Sequence, residues 1–363
     1  MIERDVLEGR FPKLRAWEAL EAKPTLRQLE DFARATHTPV GYFFLPQPPE
    51  ERVPIPDFRT SGGSLLRRPS PDLLDTIYLC QQRQEWYRDF ARISGARPLG
   101  FVGSATVDAN VVATAVQIRN VLHFDLEERR AIPSWTEALR RFIDLADATG
   151  VMVMVSGVVG SNNHRRLDPD EFRGFTLADV QAPLVFINGS DSKAAQMFTL
   201  AHELAHVWLG QSGVSDERPS VAGANDVERW CNEVAAELLV PLDVLLRDYD
   251  RGADVAAEMQ RLARRFKVST LVILRRMSDA GGLTRDELRQ YYDAELQRLA
   301  KLPQASGGNF YLTLGARTSK RFTRALVATT LEGRSSYTEA LRLLGFKRMA
   351  TFRELGQSLG LVV

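Results

Sequence analysis

The chain has 363 residues, of which 44% are hydrophobic and 26% are charged, and its formal net charge is +1. These values are typical of a soluble globular protein with two or three domains, and the near-neutral charge gives no general indication of nucleic-acid binding. No run approaches the roughly 18 consecutive apolar residues of a membrane-spanning helix. The N-terminal stretch MIERDVLEGR carries charges where a signal peptide has an apolar core. We therefore expect a cytoplasmic protein, without membrane contact.

The first 60 residues predict short helices followed by a proline-rich segment. Thr25 follows Pro24 and precedes apolar residues at helical spacing, so we expect it to cap a helix. Residues 43–60 contain five prolines, and each proline removes a backbone N–H and disfavours helix at the residue before it. This segment is expected to be a linker or an extended strap.

Beyond this segment the pattern predicts helices, then strands, then helices again. Strands are expected at 150–160 and 182–189, where short apolar runs end at turn-forming residues. The fold class is therefore expected to be α+β, with a small sheet followed by helices. The expected helices lie at about 71–94, 134–149, 193–210, 226–240 and 253–281, with short helices in 317–361.

The stretch FTLAHELAHVWLG, residues 198–210, has the composition of a catalytic metal site. His202 and His206 stand one helical turn apart, so both imidazoles leave the same face and can reach one ion. Glu203 lies beside the first histidine, where it can act as a base for a metal-bound water. The rest of this helix is apolar, and two histidines and a glutamate buried there without partners would be costly. The pattern favours a metal over core histidines bonded to the backbone.

A third ligand is expected on the helix predicted at 226–241, which carries three glutamates. Glu228 shares a face with small and apolar residues and with Asn232, which suits packing against the histidine helix. Glu233 and Glu237 share a different face that resembles a solvent face. We therefore choose Glu228 as the third ligand. Asn232 is expected either to accept the outer N–H of a ligand histidine or to be an ordinary packing residue.

FTLAHELAH followed by ERWCNEVAAELLVP resembles the ImmA/IrrE family of metallo-endopeptidases, which are gluzincins that combine HExxH with a downstream glutamate. RRLDPDEFRGFTLADVQAPLVFINGSD, residues 165–191, is similar to that family's lead-in to the active helix. The resemblance runs through nearly the whole chain and implies a zincin-like core. It also implies one zinc ion, Zn2+, held by His202, His206 and Glu228, with Glu203 as the catalytic base.

The implied mechanism is the hydrolysis of a peptide bond by a zinc-activated water, with Glu203 carrying the proton from the water to the leaving amine. Asn232 stands where thermolysin-like gluzincins have an aspartate, which would make its partner histidine slightly less basic without removing the metal. No oxyanion stabiliser can be identified from the residues.

The apolar run before the active helix is a candidate for substrate binding. In zincin folds an edge strand at this point pairs with an extended substrate, so specificity would come partly from added β-structure. A buried structural strand is an equally good interpretation of the same residues. The candidate residues are Leu184, Val185, Phe186 and Ile187.

Residues 14–46 resemble the second half of an XRE-type, Cro/CI-like helix-turn-helix domain, without the first helix of such a domain. Residues 1–45 contain seven Lys or Arg and seven Asp or Glu, so this piece lacks the basic footprint of a DNA-binding domain. Residues 301–363, in contrast, contain ten Lys or Arg and three Asp or Glu. A solvated basic face is the commoner explanation of that excess, and contact with phosphates or an acidic partner is the alternative.

Four segments follow from these patterns: a remnant XRE-like piece at 1–46, a proline-rich linker at 47–60, a zincin-like metallopeptidase domain at 61–295 and a basic helical C-terminal domain at 296–363. The family resemblance implies that the substrate is a Cro/CI-like (XRE-family) repressor, whose cleavage releases genes for stress response or mobile-element control. The alternative function is that of a transcription regulator or antitoxin-like protein that binds DNA or protein without catalysis. Because a binding protein has no need for Glu203, the residues favour the enzyme.

Overall fold

The centre of the structure is a four-stranded sheet with helices on both faces. This computed structural model describes residues 4–49, 51–58, 68–215, 226–301 and 317–361. The strands are β1 (Met152–Ser156), β2 (Gly174–Leu177), β3 (Leu184–Asn188) and β4 (Gly213–Val214). The expected α+β fold class is therefore confirmed.

Helices precede and follow the strands, as predicted. Those at 111–122, 126–131, 242–248 and 285–300 were not predicted, and the run predicted at 253–281 is divided into two helices. Before the sheet they are α1 (Arg4–Arg10), α2 (Leu14–Glu18), α3 (Leu26–Thr36), a 3-10 helix (Val40–Phe44), α4 (Pro71–Ile93), α5 (Val111–Leu122), α6 (Leu126–Ala131) and α7 (Trp135–Thr149). Between and after the strands they are α8 (Lys193–Leu209), α9 (Asp226–Leu239), α10 (Leu242–Asp248), α11 (Val255–Phe266), α12 (Thr270–Asp279) and α13 (Arg285–Ala300). The C-terminal helices are α14 (Lys320–Leu331), α15 (Tyr337–Leu344) and α16 (Met349–Ser358).

The strand order is β1-β3-β2-β4, so β3 lies in the interior of the sheet. It pairs in parallel with β1 on one side and antiparallel with β2 on the other. A strand that is hydrogen-bonded on both sides cannot accept a substrate strand. The expectation that Leu184, Val185, Phe186 and Ile187 form a substrate-binding edge is therefore wrong, and the alternative of a buried structural strand is correct.

Successive side chains of the strands enter two different hydrophobic cores. In β1, Val153 and Val155 face one core, whereas Met152 and Met154 face the other. The first core is shared with α5, α7, α8, α9, α11 and α12, and the second with α4 and the C-terminal helices. Because both faces of the sheet are covered, its strands are continuous apolar runs rather than alternating ones.

The C-terminal helices are part of the second core. Phe322, Leu326, Leu343 and Phe352 are almost completely buried in the same cluster as the strands. The carboxylate of Asp147, in α7, accepts hydrogen bonds from the hydroxyl of Ser319 and from the backbone N–H of Arg321 at 2.9 Å. A separate C-terminal domain beginning at 296 is therefore not what the described residues show, and that boundary falls inside α13.

The N-terminal helices have a small apolar cluster of their own, built around Phe11, Leu14 and Ala35. Thr25 caps α3 as predicted: its hydroxyl accepts from the backbone N–H of Gln28, whose side chain accepts from the backbone N–H of Thr25. Such a capping box satisfies two backbone donors at once. The XRE-like character of this piece stays a prediction.

Three arginines satisfy the last carbonyl groups of α9, which otherwise have no partners within the helix. Arg119 donates to the carbonyl of Glu237 at 2.8 Å, Arg129 to that of Leu239, and Arg276 to that of Val240 at 2.9 Å. Cations at this end of a helix also complement its dipole. The three arginines thereby fix the helix that carries Glu228.

The side chain of Glu237 forms a buried ion pair with Arg276, and the two residues are 5% and 6% exposed. Its assignment to a solvent face with Glu233 was therefore wrong, since only Glu233 is exposed. Arg276→Ala would leave a buried carboxylate without its cation, and we expect it to lower the free energy of unfolding by about 3–5 kcal/mol.

Urea unfolding followed by circular dichroism measures this effect. Arg229→Ala is the matched control, because Arg229 pairs with Asp226 at the surface, where such a pair contributes about 0–1 kcal/mol. A loss below about 1 kcal/mol for Arg276→Ala would show that the buried pair is not what stabilises this end of α9.

Candidate metal centre

The helix α8 places the HExxH residues between the sheet and α9. Ser192 begins the helix by accepting a hydrogen bond from the backbone N–H of Ala195, and Gly210 ends it in the left-handed conformation with φ 68°. Glycine adopts this conformation without strain, which is why it commonly ends helices. The apolar face predicted for this helix is buried in the first core.

Three ligand-type side chains meet on this helix and its neighbour. The Nε2 atoms of His202 and His206 are 3.1 Å apart. Glu228 projects from α9 with its carboxylate oxygens 3.4 Å from Nε2 of His202 and 3.1 Å from Nε2 of His206. All three residues are at most 2% exposed. The structure therefore brings together the three metal ligands that the sequence analysis chose.

The spacing of these atoms fits a tetrahedral metal ion. Ligand atoms about 2.0–2.1 Å from such an ion lie roughly 3.3 Å from one another. The two Nε2 atoms are 3.1 Å apart, Oε1 of Glu228 is 3.1 Å from Nε2 of His206, and Oε2 of Glu228 is 3.4 Å from Nε2 of His202. Among the described residues neither carboxylate oxygen of Glu228 has a hydrogen-bond donor. A cation would compensate this buried carboxylate and the two facing imidazole nitrogens together. The residues therefore fit a metal with two nitrogen ligands and one oxygen ligand.

The electrostatics of the site keep the ligands in the forms that bind metal. Burial lowers the pKa of His206, so its imidazole stays neutral. Burial alone would raise the pKa of Glu228, but the two adjacent histidines outweigh it and hold this pKa at about 2. Neutral imidazole and ionised carboxylate are the states that zinc-like ions require.

Asn232 orients the first histidine. Its Oδ1 lies 3.1 Å from Nδ1 of His202, one helical turn beyond Glu228. An N–H at Nδ1 donating to this oxygen leaves the lone pair of Nε2 directed at the metal position. Of the two interpretations of Asn232, the contact with the ligand histidine is therefore the one observed.

Glu203 lies against β2 rather than against another helix. Its Oε2 accepts a hydrogen bond of 2.7 Å from the hydroxyl of Thr176, and the residue is completely buried. Gly174 leaves room for this carboxylate, because a Cβ at that position would stand 2.9 Å from Oε1. Neither β2 residue was predicted to belong to the site, because a strand of four residues carries too little periodicity to be recognised.

The aromatic ring of Phe58 covers His206. The two ring centroids are 5.6 Å apart and the planes differ by 11°, which is a stacked arrangement. Nothing in the local sequence indicated this contact, since 147 positions separate the residues. Phe58 belongs to the proline-rich segment that was expected to be a linker or a strap, and the described residues 51–58 behave as a strap.

The HExxH helix packs on a small mixed sheet, and a glutamate of the following helix converges on the two histidines. These features define the domain as a zincin-like metallopeptidase fold. Residues 146–278 match the family model of the IrrE N-terminal-like domain, Peptidase M78. This central part of the chain therefore belongs to the ImmA/IrrE family. The matched range contains His202, Glu203, His206 and Glu228.

Residues 318–358, which comprise the C-terminal helices, match a domain of unknown function, DUF8813. No curated protein matches the chain. None of the helices described here is long and apolar enough to cross a membrane. These comparisons do not extend to residues 1–46, whose XRE-type resemblance stays a prediction.

Proposed function

We propose that this protein is a zinc-dependent endopeptidase with a regulatory role. The observation that carries the proposal is the convergence of His202, His206 and Glu228 with pairwise ligand-atom separations of 3.1–3.4 Å, beside a buried glutamate in the HExxH position. The match to the Peptidase M78 family supports hydrolysis of peptide bonds as the reaction. Zinc is preferred because tetrahedral His2Glu sites with an open position are typical of zinc hydrolases.

In the proposed reaction each residue of the site has a separate role. Zinc, when bound, lowers the pKa of a water towards about 7 and polarises the peptide carbonyl. Glu203 accepts the proton of the water that attacks the carbonyl carbon, and it then delivers this proton to the nitrogen of the leaving amine. Asn232 holds the tautomer of His202, and Thr176 holds the orientation of the Glu203 carboxylate.

The proposed substrate is a Cro/CI-like, XRE-family repressor, whose cleavage would act in stress response or in the control of mobile elements. This part of the proposal is supported by the ImmA/IrrE family membership of residues 146–278. A regulatory protease with few substrates is also consistent with four site residues that are at most 2% exposed. DNA contact by the N-terminal or the basic C-terminal segment would be an additional role.

Incubation of the purified chain with a Cro/CI-like, XRE-family repressor, followed by mass spectrometry of the intact products, tests this function. We expect two fragments whose masses add up to the repressor plus one water, and no fragments after treatment with a chelator. An intact repressor that forms a stable complex with the chain, or a chain that shifts operator DNA without cleavage, would instead support the non-catalytic regulator.

Thr176→Val tests the orientation of the proposed base. The substitution removes the hydroxyl that donates to Glu203 while keeping the size and the strand preference of the side chain. A hydrogen bond to a charged group contributes about 1.5–3 kcal/mol, so we expect kcat to fall roughly 10- to 100-fold with little change in KM.

Thr176→Ser is the control, since serine retains the hydroxyl and should restore most of kcat. The pH dependence of kcat distinguishes a misoriented Glu203 from a general loss of structure. Only a change at Glu203 should shift the acidic limb of the pH profile. Equal kcat values for the valine and serine variants would show that the Thr176 hydroxyl does not orient Glu203 for catalysis.

A further inference from the structure

The strap, residues 51–58, lies along the edge of the sheet next to the metal centre. Its backbone joins β4 through a hydrogen bond of 2.9 Å from the N–H of Val214 to the carbonyl of Pro56 and a parallel bridge between Asp57 and Val214. On its other side β4 pairs with β2, where Gly213 stands opposite Thr176. The strap therefore occupies the strand position beyond β4. This is the side of the sheet where Thr176 contacts Glu203, the proposed catalytic base.

Some side chains of the strap anchor it to the second core, and one covers a metal ligand. Val53 and Ile55 are partly buried against the second core. Phe58 stacks on the ligand His206 and also lies over Gly213, where a Cβ would stand only 2.2 Å from its ring. The absence of a side chain at 213 thus creates a recess that accepts an aromatic ring directly beside the metal ligands.

A segment that hydrogen-bonds to a sheet edge and places one side chain in a recess contacts the sheet as a bound peptide does. The edge of β4, the recess at Gly213 and the ring of His206 supply what such a peptide needs: a backbone donor, space and an aromatic surface. Since the strap belongs to the same chain, its effective concentration at this edge is on the order of millimolar. A substrate has to compete with it.

We propose that the β4 edge and the Gly213 recess form the substrate-binding groove for an extended peptide with an aromatic side chain, and that Pro56–Phe58 occupy this groove in cis and keep the enzyme latent. The proposal rests on the peptidase function proposed above and assigns its substrate subsite and its regulation. Its direct support is the stacking of Phe58 on the ligand His206, which is completely buried.

Peptide binding tests the groove without requiring catalysis. The protein is the full chain loaded with zinc and carrying Glu203→Gln, and the probe is a fluorescein-labelled peptide with the sequence ERVPIPDFRT, measured by fluorescence anisotropy. We expect Phe58→Ala to bind the peptide at least tenfold more tightly than the chain with Phe58, because the competing ring is gone. A peptide with alanine in place of its phenylalanine should bind the Phe58→Ala chain at least tenfold more weakly than the original peptide does.

Phe44→Ala is the matched control, because Phe44 is a 70% exposed aromatic residue upstream of the strap, and it should leave peptide affinity unchanged. Ile55→Ala is a second variant, which weakens the anchoring of the strap at a position remote from the metal centre. It should also raise peptide affinity, by a smaller factor than Phe58→Ala does. Equal affinities for the Phe58→Ala and Phe58 chains, with Ile55→Ala also unchanged, would overturn the proposal.

Cleavage measured in parallel separates this inference from the peptidase function. In the chain with Glu203 intact, Phe58→Ala should raise kcat/KM for the repressor at least tenfold. Tighter peptide binding with no cleavage by any variant would retain the groove and reject the peptidase. Cleavage by the wild-type chain that Phe58→Ala lowers or leaves unchanged would retain the peptidase and reject latency.

Discussion

Glu203→Gln is expected to lower the rate of repressor cleavage by about 10²- to 10⁴-fold, the range attributed to general acid–base catalysis by a positioned side chain. Glutamine keeps the size of the side chain and can still contact the hydroxyl of Thr176, but it cannot accept a proton at neutral pH. Because Glu203 is not one of the three converging ligands, the metal content should stay at that of the wild type. The rate is measured from the time course of fragment formation, and the metal content by elemental analysis of the same sample.

Glu233→Gln provides the matched control, since Glu233 is an exposed glutamate on the neighbouring helix α9. It should change neither the rate nor the metal content. A Glu203→Gln chain that binds metal and cleaves at the wild-type rate would show that Glu203 is not the base, and the enzymatic interpretation would then fail.

Glu228→Ala is expected to remove the metal and, with it, the stability that the metal provides. The substitution deletes the oxygen ligand that the described residues contribute to the cluster and leaves two buried imidazoles facing each other at 3.1 Å. Free metal at 100- to 1,000-fold its Kd stabilises a folded protein by about 2.7–4.1 kcal/mol. A chelator should therefore lower the free energy of unfolding of the wild type by about this amount, and that of Glu228→Ala by less than about 1 kcal/mol.

Chemical unfolding with and without the chelator measures both values, and Glu233→Ala serves as the control because it removes a carboxylate from the exposed face of the same helix. The control should respond to the chelator as the wild type does. If the chelator leaves the stability of the wild type unchanged, the converging side chains do not bind a metal under these conditions.

Much of the architecture follows from local patterns. The helices predicted at 71–94 and 134–149 are observed as Pro71–Ile93 and Trp135–Thr149, because each begins at a capping residue and carries a continuous apolar face. The strand runs predicted around 150–160 and 182–189 contain β1 and β3. The strands β2 and β4 were missed, since segments of four and two residues carry too little periodicity to be recognised.

The role of β3 shows why a local pattern cannot settle which strand is at an edge. Its five consecutive buried residues indicate a strand covered on both faces. Whether such a strand also has neighbours on both sides depends on β2, which precedes it in the chain and is stabilised partly by the contact of Thr176 with Glu203. The edge position is instead held by β4 and the strap.

The choice between the glutamates of α9 illustrates both the strength and the limit of helical geometry. The face of Glu228 was chosen correctly for contact with the histidine helix, as the distances of 3.1 and 3.4 Å show. The face of Glu237 was misassigned because its partner, Arg276, comes from a helix 39 residues later in the chain. Helical periodicity shows which residues share a face, but the burial of that face depends on distant elements.

The contact between Phe58 and His206 depends on the tertiary structure in the same way. Five prolines in 43–60 predicted a linker or an extended strap. Of the described residues 51–58, Pro56 and Asp57 join β4, and the ring of Phe58 fits beside it because Gly213 has no side chain. Displacement of residues 51–58 would open the groove without any change in the metal ligands.

Titration of the metal-free chain with zinc, with repressor cleavage as the readout, tests whether zinc bound by His202, His206 and Glu228 makes this protein a peptidase. Because the part of the chain that the structure describes holds one set of three converging ligands, cleavage should be absent without metal and should rise with added zinc until one equivalent per chain is bound. A metal-free chain that cleaves the repressor at the full rate, or a chain that binds one equivalent of zinc and remains inactive after Phe58→Ala, would show that this protein is not a zinc-dependent peptidase.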